Sequence, residues 1–127
     1  MCTGNSCRSI FSEAIINHDL YGSVKAYSSG IHPSDKVSST AKKILEMFNM
    51  WDNNYHSKPI ESVANINFDL VVTVCGNAKE QCPNFSKGTE IIHIGFDDPD
   101  GKDFDYFLHI FHKIRKKLIP IVRKKLC

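Results

Sequence analysis

The sequence predicts an α/β fold with a mainly parallel sheet, on three observations. Residues 68–74, Phe-Asp-Leu-Val-Val-Thr-Val, form a near-continuous apolar run, as a parallel strand covered on both faces requires. Residues 91–94, Ile-Ile-His-Ile, repeat that character. Both runs alternate with segments whose apolar residues recur at helical spacing, the pattern of strands joined by helical crossovers. At 127 residues, 42% hydrophobic and 24% charged, the composition fits one soluble globular domain covering residues 1–127.

The elements follow in order. From Ser9 to about Leu20, Ile10, Ala14 and Ile15 recur with helical period. Residues 24–28 carry β-branched and aromatic side chains and read as a short strand, broken by Ser29-Gly30-Ile31-His32-Pro33. Ser38 or Ser39 is placed to cap a helix reaching about Met50, with Ala41, Ile44, Leu45 and Phe48 on one face. A single helical turn is expected at 62–64. The last helix, 104–126, presents a stripe of Phe107, Ile110, Phe111, Ile114 and Leu118. Pro120 lies inside it and is expected to kink the helix, or to end its first part near Ile119.

The chemistry is concentrated at the start, in Cys2-Thr3-Gly4-Asn5-Ser6-Cys7-Arg8-Ser9. A cysteine and an arginine at Cys-x5-Arg spacing can close a ring around a tetrahedral oxyanion. The intervening backbone N–H groups turn inward and the guanidinium adds a bidentate fork. Gly4 permits the tight turn and close approach this needs. The helix that follows brings its N-terminal N–H groups and dipole to the same anion. This positive potential also lowers the pKa of Cys2 and makes it a thiolate nucleophile. Such a loop normally hangs from the C-terminal end of a parallel strand. Only Met1 precedes Cys2, so a central strand is expected to be missing or truncated in this chain.

A second group lies downstream. Cys75 follows the 68–74 strand at its C-terminal end, where sites collect in parallel sheets, and Cys82-Pro83 comes after six residues. The two cysteines can be buried and incidental. They can form a zinc pair, although the spacing does not match common zinc ligands. They can also be a redox pair in series with Cys2. A disulfide between them requires the segment to loop or coil so that the Cα atoms come within about 7 Å. Gly95-Phe96-Asp97-Asp98-Pro99 follows the other strand. An aspartate before proline is often turn chemistry. Across from an oxyanion loop, Asp98 is a candidate general acid for the leaving oxygen and Asp97 the more structural of the two, although residue types alone do not rank them.

Bulk properties exclude some classes. Five cysteines in a reducing compartment point to catalysis, redox chemistry or metal binding rather than to structural disulfides. No stretch is long enough to span a membrane and no signal peptide is recognisable, so a cytoplasmic location is expected. The formal net charge of +2 calls for neither nucleic acid nor membrane as a partner. The basic run Lys113, Arg115, Lys116, Lys117, Arg123, Lys124 and Lys125 reads as a solvated helix face.

Taken together, the loop 2–9, Leu70-Val71-Val72-Thr73-Val74-Cys75, Cys82-Pro83 and Gly95-Phe96-Asp97-Asp98-Pro99 resemble the thioredoxin-coupled arsenate reductases. The resemblance implies the low-molecular-weight tyrosine phosphatase fold, a three-layer sandwich, over essentially the whole chain. It implies that Thr3, Gly4, Asn5, Ser6, Cys7, Arg8 and Ser9 cradle arsenate, that Cys2 attacks arsenic and that Asp98 protonates the departing hydroxide. Cys75 and Cys82 then resolve in turn, with thioredoxin as external reductant and no bound cofactor. Ser9 resembles the hydroxyl that hydrogen-bonds the nucleophilic sulfur. Cys7 is expected to be a packed thiol and Cys127 incidental. Asn5, Glu13 and Ser28 match the remnant of a potassium site in which Lys58 replaces the remaining carboxylate, so no metal is expected. A monomer is expected. The competing readings are a tyrosine or small-ester phosphatase, which needs neither Cys75 nor Cys82, and a non-catalytic oxyanion-binding or truncated inactive product.

Overall fold

Helix α1 (Arg8–Asp19) is buried at every position from Ser9 to Ile16, polar residues included. A helix covered all round belongs in the interior of a layered fold rather than on its surface. It ends at Leu20, where Gly22 adopts φ +85° and lets the N–H groups of Ser23 and Val24 return to the Leu20 carbonyl, each at 3.0 Å. The computed structural model describes residues 7–30, 33–34, 36–63, 65–74 and 89–127.

The stretch 24–28 forms no ladder among the described residues. The side-chain amide of Asn17 takes both backbone groups of Ala26 instead, accepting from its N–H at 2.7 Å and donating to its carbonyl at 3.2 Å. The expected strand is thus reduced to one parallel bridge, Gly30 with Pro59, closed by Gly30 N–H donating to Lys58 O at 2.9 Å. A cavity of about 440 Å³ separates residues 23–29 from the strand at 70–73, with Ser12 and Ile16 of α1 and Leu118 and Val122 among its lining.

Helix α2 (Ser39–Met47) begins as expected, with the Ser38 hydroxyl accepting from Ala41 N–H at 3.3 Å. It ends three residues short of Met50. Asn49 turns left-handed at φ +58°, while Met50 N–H reaches Leu45 O at 2.8 Å and Asn49 N–H reaches Glu46 O at 3.2 Å. That is a Schellman closure, with asparagine in the place glycine usually takes. The expected turn at 62–64 is a 3-10 turn at Ile60–Ser62, one step after Pro59.

Strands β1 (Leu70–Thr73) and β2 (Glu90–His93) pair in parallel, Leu70 opposite Glu90 through Thr73 opposite His93. The pairing continues beyond them through Ile94 N–H to Thr73 O at 2.8 Å and Phe96 N–H to Val74 O at 3.2 Å. Helix α3 (Phe104–Leu126) starts on Asp103, whose carboxylate accepts from Tyr106 N–H at 3.0 Å.

Of the two outcomes expected at Pro120, a kink or an end, the end does not occur; the helix continues through it to Leu126. Proline removes one helical hydrogen bond, here to the carbonyl of exposed Lys116, where water can replace the lost donor. Leu118, Ile119 and Val122 are all buried and hold both sides of the proline on the core. Among the described residues, no helix is long and apolar enough to cross a membrane.

Helices α1 and α3 run side by side. Phe11 meets Phe111 edge-on at 5.4 Å, and Phe48 stacks on the same Phe111 ring at 4.9 Å, so three elements converge on one side chain. At the far end of α1, Arg115 donates twice to Asp19, at 2.7 and 2.9 Å. Burial pushes the Asp19 carboxyl up, but the hydrogen bonds and charges of Arg115 and His18 outweigh it and the net shift is downward. Phe111→Ala should cost about 3–5 kcal/mol in urea unfolding, because a fully buried ring shared by three helices leaves a cavity none of them can close.

Candidate functional site

The described part of the site is built at the C-terminal edge of the β1–β2 pair. Extension of the ladder to Phe96 aims the Phe96 carbonyl at α1, where Arg8 Nη1 donates to it at 3.0 Å. The other guanidinium nitrogen, Nη2, lies 3.6 Å from Asp98 Oδ2. Arg8 is largely buried, its side chain 14% exposed, whereas Asp98 is 57% exposed. The guanidinium is thus held by a buried carbonyl on one side and faces an accessible carboxylate on the other. An exposed carboxylate within reach of a bound anion can deliver a proton to it.

The two aspartates of 97–98 are now distinguishable. Asp98 faces Arg8, and its second oxygen accepts from Asp100 N–H at 3.0 Å, a local turn that orients the carboxylate. Asp97 points to Tyr106, whose hydroxyl lies a long 3.5 Å from Oδ2. Asp98 is thus the one of the two that faces the guanidinium.

Helix α1 enters the site by its N-terminus. Cys7 is the cap residue, its side chain makes no cap hydrogen bond, and the first turn holds no acidic residue. The helix end therefore brings no negative charge of its own to the place where Arg8 stands. Cys7 itself is buried, and burial pushes its thiol up to about 12 against the smaller lowering effect of Arg8. A thiol so raised is inert at neutral pH, in keeping with a packed rather than reactive role.

In the middle of α1, Glu13 is a buried carboxylate. Its Oε1 accepts from the Ser28 hydroxyl at 2.5 Å and lies 3.7 Å from Lys58 Nζ. Burial raises the Glu13 pKa; the Ser28 hydrogen bond and the Lys58 and His56 charges oppose this without reversing it. Lys58 is itself mostly buried and donates to His56 O at 3.2 Å. The carboxylate is thus already served by an ammonium and a hydroxyl. An ammonium 3.7 Å from the carboxylate disfavours a second cation beside it.

Cys2, Thr3, Gly4, Asn5, Ser6, Cys75 and Cys82 lie outside the described residues. Ser9 lies inside them and is buried in the first turn of α1. Two contributors escape a reading of residue types. The Phe96 carbonyl anchors Arg8, and backbone atoms leave no sequence signal. Thr73 and His93 share a hydrogen bond across the strand ends; a buried threonine and a histidine closing two apolar strands were the available hint. At about pH 8, alkylation of the native protein with iodoacetamide should modify exposed Cys127 and spare Cys7, as read by peptide mass. Equal labelling of the two would contradict the packing of Cys7.

Comparison with known proteins agrees with this geometry. Residues 1–126 match the model of the low molecular weight phosphotyrosine protein phosphatase family. An arsenate reductase from Bacillus cereus (strain 03BB102) is 36% identical over 118 residues, covering 93% of this chain and 87% of that protein. One from Bacillus anthracis (strain CDC 684) is 35% identical over the same coverage. The crystal structure of an arsenate reductase from Archaeoglobus fulgidus superposes with a TM-score of 0.80 at 26% identity, over 95% of this chain and 94% of that one. A low molecular weight protein tyrosine phosphatase from T. tengcongensis shares the fold alone, with a TM-score of 0.79 at 20% identity over 97% of this chain and 95% of that one. An α/β sandwich with Arg8 and Asp98 at the C-terminal edge of its parallel strands, matched over almost its full length, places this chain in the low molecular weight phosphotyrosine protein phosphatase family.

Proposed function

We propose that this enzyme reduces arsenate to arsenite through three thiols used in order, with thioredoxin as the external reductant. The supporting observation is Arg8, anchored on Phe96 O and facing Asp98 at the N-terminus of α1, joined in sequence to a Cys-x5-Arg loop. Arsenate reductases 35–36% identical to this chain support the same reading. The Cys2 thiolate attacks As(V), and the departing hydroxide leaves as water with the proton of Asp98. The Cys75 thiolate then attacks Cys2 Sγ. The S–As bonding pair leaves with arsenic, which departs as As(III), and a Cys2–Cys75 disulfide remains. Cys82 attacks Cys75 and expels the Cys2 thiolate, which carries the oxidation to Cys75–Cys82. Two electrons from the thioredoxin dithiol reopen that bridge. The enzyme acts as a monomer in the cytoplasm, where such a reductant is maintained.

Phosphate and arsenate are near-isosteric, so family membership also supports a second reading as a phosphatase. The cysteines separate the two. Arsenate-dependent NADPH oxidation through thioredoxin and its reductase should lose multiple turnover in Cys2→Ser, Cys75→Ser and Cys82→Ser alike. Asp98→Asn should lower kcat about 100-fold or more. Full arsenate turnover without Cys82 would remove the relay. Aryl phosphate hydrolysis lost only in Cys2→Ser, with no arsenate-dependent oxidation, would establish the phosphatase.

The Lys58 ammonium beside Glu13 takes over the part of a monovalent cation in this reading. Exchanging potassium for sodium at constant ionic strength should therefore leave kcat and KM unchanged. A strong activation specific to potassium would refute that assignment.

A further inference from the structure

Helix α3 carries seven of the sixteen Lys and Arg residues of the chain and one of its fourteen Asp and Glu residues. Two of the seven are neutralised within the fold, Arg115 by Asp19 at 2.7 Å and Lys125 by Glu90 at 2.7 Å. Lys113, Lys116, Lys117, Arg123 and Lys124 remain, all exposed and none in an ion pair among the described residues. At 3.6 residues per turn they fall within an arc of about 120°, along about 17 Å of helix axis. His109 and Pro120 share that arc, and so does one carboxylate, Asp105, two turns ahead of Lys113 at its edge. The opposite side of the helix, Phe107, Ile110, Phe111, Ile114, Leu118 and Val122, is sunk in the core.

A solvated helix face accounts for part of this. Arg123 and Lys124 lie in the last turn and complement the helix dipole. Lys113, Lys116 and Lys117 are too far from that end to benefit. Lys113 instead faces Lys116 at i+3 and Lys117 at i+4, like-charge pairs that weaken the helix. The fold thus retains unneutralised repulsion along one rigid, outward line.

We propose that this face docks the protein peripherally on an anionic phospholipid bilayer. Charge complementarity argues for an anionic partner, and the shape of the face argues for a plane. The inner face of the helix is seated on the domain, so the basic row is presented outward on a fixed support. The arc also carries no Asn, Gln, Ser or Thr to read base edges. A bilayer asks for no register; it presents continuous negative charge that five long, flexible stems can reach together. Leu126, 37% exposed, adds an apolar side chain at the end of the row. Arg8 and Asp98 lie ahead of the opposite end of α3, so a docked molecule keeps its site open to solution. The expectation of no membrane partner rested on the lack of a stretch long enough to span a bilayer, which does not bear on peripheral docking. The proposal is independent of which oxyanion the site takes.

The test is sedimentation of the full chain with vesicles of phosphatidylcholine alone or with about 30 mol% phosphatidylglycerol, at about 50 mM and about 500 mM salt. Binding is expected only to the anionic vesicles, with release at high salt. The triple variant K113Q/K116Q/K117Q should lower the partition coefficient about 100-fold, at about fivefold per cation, with unchanged thermal unfolding and enzymatic activity. Three results would overturn the proposal: equal binding to neutral vesicles, undiminished binding of the variant, or tighter binding at the same salt to duplex DNA or poly-L-glutamate. If the variant does not fold, the wild-type chain still decides. Its partitioning must rise steeply with phosphatidylglycerol content, and a flat response also overturns the proposal.

Discussion

The rest of the structure depends on the burial of α1. A helix enclosed at every position from Ser9 to Ile16 must satisfy each polar group it carries inside the protein. Three consequences lie along its length. Arg8 at its start is held by the Phe96 carbonyl, Glu13 at its middle by Ser28 and Lys58, and Asp19 at its end by Arg115. Each partner comes from a different part of the chain, so the helix is the hub through which 28–30, 58, 96–98 and α3 are registered against one another.

Burial also separates reactive from inert groups. The Cys7 thiol sits beside Arg8, a neighbour that alone would favour a thiolate, yet desolvation dominates and the thiol stays protonated. Glu13 shows the same balance in a carboxyl group: burial raises it, and Ser28, Lys58 and His56 recover only part of the cost. An internal ammonium is the simplest counterion for such a group, since its charge is carried by the chain and is not exchanged with solvent. Asp98, by contrast, is left exposed against the guanidinium.

Helix α3 divides its work by face. Its inner face completes the core around Phe111, and its continuity through Pro120 follows from that packing. Its outer face gathers positive charge that the rest of the fold does not neutralise, at the end away from Arg8 and Asp98.

Some of this was determined by the sequence alone. The α/β class, the cap at Ser38 and the apolar stripe of α3 are carried by local periodicity and residue type, which short stretches express without help. Tertiary structure decided the remainder. It chose Asp98 over Asp97, because only one of two adjacent carboxylates faces Arg8. It reduced 24–28 to a clamped segment, because Asn17 takes the backbone groups a neighbouring strand would otherwise pair. It carried α3 past Pro120, because core packing on both sides outweighs one lost hydrogen bond. It also assigned the guanidinium of Arg8 to a carbonyl eighty-eight residues away. A backbone oxygen has no residue type, so nothing in the sequence marks it. Only the ladder that extends β2 to Phe96 brings it there.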